Sequence, residues 1–162
     1  MAELTQIETK IAEVIGLAQA AQGATEKVSK LVEDGGLKQT LDQMHREAVE
    51  TEERTTQVAE NLDGKKTAIL EKASETKQEA TEMMSTYLGS DADGLDGLEF
   101  MTMAEAGEVG HWQILDTMNQ KARNQELQQV IDWATPIQER HLDEALRGSL
   151  KLAAEEDPNE PA

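Results

Sequence analysis

The chain reads as all-α, an antiparallel four-helix bundle with an additional short helix. Three observations predict this. Apolar and small residues recur in alternating steps of three and four along most of the chain, the spacing that lines one face of a helix. Only 2% of residues are aromatic, with one Phe, one Tyr and two Trp. The core must therefore come from Leu, Ile, Val, Met and Ala, which suit closely packed helices better than a sandwich. Proline occurs only at positions 136, 158 and 161, and Ala, Glu, Lys and Gln dominate the periodic stretches.

The first helix is predicted from about Ala2 to Glu33. Its stripe is Leu4, Ile7, Ile11, Val14, Ala18, Ala21, Thr25, Val28 and Val32, and Gly35-Gly36 is read as its end. The second stretch repeats the pattern with Leu37, Leu41, Met44, Ala48, Thr51, Thr55, Val58 and Leu62. Its Ala- and Thr-rich middle predicts a narrow or locally polar core. Asn61 to Gly64 reads as a break. The short helix follows over Lys65 to Leu88, its face formed by Ala68, Ile69, Ala73, Ala80, Met83, Met84 and Tyr87. Its pattern fits either a continuation of the second helix or a separate element against the bundle.

Gly89 to Gly97 reads as a loop. Its Asp91, Asp93 and Asp96 raise calcium, but no bidentate Glu closes an EF-hand, and helix capping by Asp is the simpler reading. The next helix, Leu98 to Arg123, presents Met101, Glu105, Glu108, His111 or Trp112, Leu115, Met118 and Ala122. A tight connection at Asn124-Gln125 leads to the last helix, Leu127 to about Ala154. Its face is Ile131, Ala134, Gln138, His141 or Leu142, Ala145, Ser149 and Leu152. Pro136 is expected to kink this helix or to displace its start. Residues 1–154 thus form one helical domain, and 155–162 read as a disordered acidic tail.

The formal net charge of −18 opposes contact with nucleic acid phosphates or anionic lipid headgroups. It fits either a high-salt environment or attraction of cations. The absence of cysteine excludes disulfides and thiolate chemistry. No apolar run approaches the roughly 18 to 20 residues of a membrane span, and MAELTQIETK lacks the basic region and apolar core of a signal peptide. The expectation is a cytoplasmic protein. Phosphate-binding glycine spacing, HExxH and a nucleophile elbow are all missing.

Chemistry concentrates on the last two helices. Glu108 and His111 are one turn apart, with Glu105 a turn earlier, which makes a half-site for iron, manganese or zinc in a bundle centre. A buried carboxylate without a proton, metal or partner is costly, so inward acids are informative. The ordinary alternative sends these acids to the margin of the stripe, with His111 filling a polar gap. On the last helix His141 follows Gln138 by three, an amide where a Glu-x-x-His site has a carboxylate, and Glu144 one turn on is its substitute. On the second helix His45, Glu47 and Glu52 flank the stripe while Glu50 points outward, making Glu47 the best acidic candidate. On the first helix no acid falls in the stripe and the candidate Glu13 lies outside it, the largest objection to a complete di-metal centre.

Over about Leu37 to Ala154 the chain resembles ferritin-like proteins, specifically the small YciE/YciF-like bacterial and archaeal stress proteins. The resemblance rests on EAVETEERTTQVAENL followed by Gly64-Lys65-Lys66, on GHWQILDTM at 110 to 118, and on IQERHLDEAL at 137 to 146. It implies a ferritin-like bundle, dimers, a stress-response role and a centre that holds two irons and reacts with oxygen or peroxide. The family pattern on the third bundle helix is approximately Glu-His-Tyr-Glu. Here Gly110-His111-Trp112-Gln113 keeps His111 and the aromatic position but neither carboxylate. Glu139 and Asp143 match acidic family positions. Glu47 falls where the family has His, and Glu50-Thr51 matches its Glu-Thr pair, so the resemblance favours Glu50 where periodicity favours Glu47.

The sequence expectation is therefore a ferritin-like stress-response protein binding iron, as a di-iron or mononuclear centre, through Glu108, His111, His141, Glu47, Glu144 and Glu105. The alternative is a metal-free structural or interaction protein with a degenerate site. A homodimer is expected through Ile15, Leu17 and Leu31 of the first helix, unless these residues cover the fifth helix. A further, unidentified protein partner is the third reading.

Overall fold

A computed structural model describes residues 2–161; Met1 and Ala162, the outer ends of the predicted domain and tail, lie outside the described residues. Five helices follow one another: α1 Gln6–Leu31, α2 Gly35–Glu60, α3 Lys66–Tyr87, α4 Gly94–Ala122 and α5 Gln125–Ala153. Most starts have a local chemical reason. Thr5 and Glu8 form a capping box on α1, and Asp93 and Asp96 form another on α4. The Asp34 carboxylate accepts from the Leu37 N–H (2.9 Å) at the start of α2, and Asn124 does the same for Leu127 (3.0 Å) on α5.

These caps correct two predicted boundaries. Gly35-Gly36 does not end α1; with Asp34 as cap it is the first turn of α2, and α1 closes where Val32 turns extended. The aspartates after Gly89 do cap a helix, but that helix starts at Gly94, so the loop is shorter than expected. Pro136 neither stops α5 nor displaces its start, because the helix runs through it from Gln125. Between α4 and α5 the backbone turns at Arg123, whose φ of 57° is left-handed. Buried Asn119 secures that turn, donating to the Asn124 carbonyl (3.0 Å) and accepting from its N–H (3.1 Å).

Cross-links between helices define the topology. Thr25 meets His45 across α1 and α2, Lys151 pairs with Asp34 across α5 and α2, and Thr102 meets Ser149 across α4 and α5. His111 lies against Glu13 across α4 and α1. Helices α1, α2, α5 and α4 thus close a ring in which every neighbour is antiparallel, with α5 packed mainly on α4. Helix α3 is a separate element. It runs parallel to α1 on the outside, with Lys65 beside Glu8 at one end and Lys27 donating to the Leu88 carbonyl (3.3 Å) at the other.

Gly16 is what permits that packing. A Cβ there would lie 2.4 Å from the Ala73 carbonyl oxygen and 2.7 Å from the Thr76 Cβ, so the two backbones touch where no side chain intervenes. Only the first half of α3 is buried, through Ala68, Ile69 and Ala73. Met83 and Tyr87, predicted on its inner face, are exposed. The predicted dimer face changes similarly: Ile15 is fully buried inside the core, so it is not available for a surface contact.

The core has two apolar ends. One gathers Ile11, Ile15, Val58, Ile69, Trp112, Leu115, Leu127 and Ile131; the other gathers Val28, Leu41, Met44, Leu98, Phe100 and Met101. Between them lies a waist of buried polar groups, as the Ala/Thr-rich middle of the second helix predicted. Among the described residues no helix is long and apolar enough to cross a membrane. Residues 155–161 are exposed and form turns without further helix.

Candidate functional site

The waist is built from α2, α4 and α5. Its hydroxyls are satisfied by their own helices: Thr51 donates to the Glu47 carbonyl (2.7 Å) and Thr55 to that of Thr51 (2.7 Å). That arrangement leaves the ionisable groups to satisfy one another. Glu105 is 1% exposed, and the Gln138 amide donates to its Oε2. His141 is 3% exposed and stands between two acids, with Nε2 3.4 Å from Glu47 Oε1 and Nδ1 3.8 Å from Glu105 Oε2. Arg140 forms an ion pair with Glu47 and reaches Glu144 Oε1 at 3.5 Å. The second Glu144 oxygen is buried without a hydrogen-bond partner.

Burial sets the charge states here. It pushes the Glu105 carboxyl up to about 8, with the Glu144 charge adding to the effect. Burial raises Glu108 well above the ordinary carboxyl range, and Glu105 adds to it. The His141 imidazole moves the other way, lowered by burial and only partly restored by Glu47. A neutral acid and a neutral imidazole at neutral pH leave Arg140 as the one cation facing the Glu47 and Glu144 carboxylates.

This overturns the predicted metal centre. Glu105, His141, Glu47 and Glu144 do converge, but His111 does not join them. Its Nδ1 lies 2.8 Å from the Gly107 carbonyl, its Nε2 3.6 Å from Glu13, and its side chain is 34% exposed. Glu108 borders a cavity lined by residues of α1, α3 and α4 and makes no hydrogen bond to the waist groups among the described residues. Among the described residues no group of three or more His, Asp or Glu side chains is placed to hold a metal ion, so the iron assignment, di-iron or mononuclear, is withdrawn. The reason is chemical. Gln138 places an amide where a bridging carboxylate is needed, and the Arg140 guanidinium supplies the positive charge that Glu47 would otherwise offer to a cation.

Periodicity was the better guide on α2: the Glu47 side chain is 16% exposed and points inward, whereas Glu50 is 46% exposed and pairs with Arg54. Arg140 is the functional residue that motif reasoning missed. Its position between Gln138 and His141, one turn before Glu144, was the available signal. No family model, curated protein or solved structure matches the chain, so the site rests on its own geometry.

Proposed function

We propose that this chain is a metal-free structural or interaction protein of the cytoplasm, a degenerate relative of the ferritin-like YciE/YciF-type stress proteins. In this reading an internal polar network stands where such proteins hold metal. The observation that carries it is the capture of the waist acids by protein groups, Glu47 by Arg140 and Glu105 by Gln138. A network satisfied at all but one Glu144 oxygen specifies register between α2, α4 and α5. The homodimer belongs to the same proposal, with Leu146 and Leu150, exposed one turn apart on α5, as its contact in place of Ile15.

The test is metal per polypeptide, by plasma mass spectrometry, after aerobic reconstitution with iron and removal of loosely held ions. The expected content is near zero in a sample whose helicity is intact. A stoichiometric value lost on replacing His141 and Glu105 overturns the proposal.

A further inference from the structure

Helix α3 leaves α1 and α4 unevenly covered. Beyond its contact with Gly16 the inner face of α3 is only partly buried, and a cavity of about 210 Å³ opens between the second half of α3, α1 and α4. The walls are small or flexible apolar groups, among them Ala20, Ala24, Met84, Met101 and Ala104. Met83 and Met103 stand at the rim with more than a third of their surface exposed. Such thioether side chains adapt to varied apolar shapes.

At the floor is Glu108. It is 94% buried (6% exposed) and among the described residues has neither a hydrogen-bond nor an ion-pair partner. A carboxyl in this condition carries the desolvation cost without compensation, unlike Glu105 one turn away. The other titratable groups lining the cavity are Glu105 and, at the rim, His111, which lies 3.6 Å from Glu13; α1 and α3 contribute no ionisable side chain to the wall. Among the described residues no Lys or Arg lines it, and the whole chain carries −18.

We propose that this groove binds an amphiphilic cation, with an apolar body between α1, α3 and α4 and a protonated amine against the Glu108 carboxylate. An anion meets only acids and one imidazole, and a purely apolar guest leaves the Glu108 carboxyl unpartnered, so charge complementarity selects the cation. The amine arrives protonated and stays so. Where the Glu108 carboxyl is protonated it releases its proton to solvent as the ion pair forms, so amine binding is accompanied by proton release. The groove lies on the α1/α3 side of α4 and does not depend on the metal-free assignment of the waist.

The probe is n-octylamine, compared with n-octanol and octanoate, titrated calorimetrically into the full-length protein at moderate salt and mildly alkaline pH. We expect one amine per chain, bound at least about tenfold more tightly than octanol, with octanoate weakest. Buffers of different ionisation enthalpy should report proton release. Glu108→Gln, which keeps shape and loses no partner, should erase the preference for amine over octanol. Ala104→Phe, which fills the groove from α4, should weaken both ligands and supplies an independent variant if the first misfolds. Equal affinities for amine and octanol on the native chain overturn the proposal, as does an amine preference that survives Glu108→Gln. A native chain that binds no octylamine and instead buries the groove in a concentration-dependent dimer also overturns it. Iron content plays no part in these outcomes, so the two proposals fail separately.

Discussion

Glu105 and Glu108 stand one turn apart on α4, both buried and both bordering the groove beneath α3, yet they meet different neighbours. Glu105 turns toward α5 and enters a waist where amide, imidazole and guanidinium answer every nearby acid but one Glu144 oxygen. Glu108 turns toward α1 and α3 and ends in an apolar groove with no answer at all. The same residue type, on the same helix, is structural in one region and available in the other. Depth in the core is thus a poor index of role; what decides is whether the neighbouring helix brings a partner.

The contrast is broken most severely at Gly16. A methyl group there collides with the Ala73 carbonyl, which belongs to backbone and has little room to yield. Gly16→Ala should cost roughly 3 kcal/mol by thermal or chemical denaturation, and should free α3 from the groove side while leaving the waist in place. A stability within a few tenths of a kcal/mol of the native chain contradicts the close approach.

The waist should be nearly as sensitive. Arg140→Met strands the Glu47 carboxylate, which is mostly buried, and is expected to lose about 2 kcal/mol, with solvent access at Arg140 limiting the damage. Adding Glu47→Gln to Arg140→Met should recover most of that loss. A double variant no more stable than the single one removes the ion pair from the account.

Glu105→Gln sharpens the comparison in the opposite direction. The folded state holds this carboxyl neutral up to about pH 8, whereas in the unfolded chain it ionises near 4.5. Below that lower value both states are protonated and there is no penalty. As pH rises from about 4.5 to about 8, only the unfolded chain gives up the proton, and native stability falls. The amide variant keeps the hydrogen bond from Gln138 and escapes this slope. It should match the native chain in acid and exceed it by about 3 kcal/mol at neutral pH. Urea titrations at both pH values check this, and equal midpoints at neutral pH refute the neutral carboxyl. His141 works against the native chain at the acid end, because its lowered value means the unfolded state gains a proton there first.

Much of the bundle was legible because helical period reports inward direction. Leu41, Met44, Ala48, Thr51, Thr55 and Val58 on α2, and Ile131, Ala134, Gln138, Ala145 and Ser149 on α5, are buried as their spacing requires. The candidate site was legible to the same depth and no further. Periodicity placed Glu105 and Glu108 inside, but α4 has neighbours on two sides, and the small angle between positions three apart suffices to send them to different ones. His111 and Trp112 compete for one slot on the face, and the large indole takes it, leaving the imidazole at the margin. Arg140 stayed hidden because an Arg beside a stripe ordinarily reads as solvated. Its inward ion pair depends on Glu47, ninety-three positions earlier. The resemblance to metal proteins concerned ligand types at fixed spacing and was blind to this cation.

Helix α3 also has a mechanical consequence. Its first pier is the contact of Ala73 and Thr76 with Gly16, and its second is Leu88, buried on the core, beside Tyr87, whose ring is tilted 45° to that of Phe100 at 6.0 Å. Between these supports the helix is a beam crossing open space. A helix resists bending, so the clearance below it is governed by the height of the piers and hardly by the residues overhead. Lys77, Gln78 and Glu79 can vary freely without changing that clearance, whereas a change at either pier tilts the whole span.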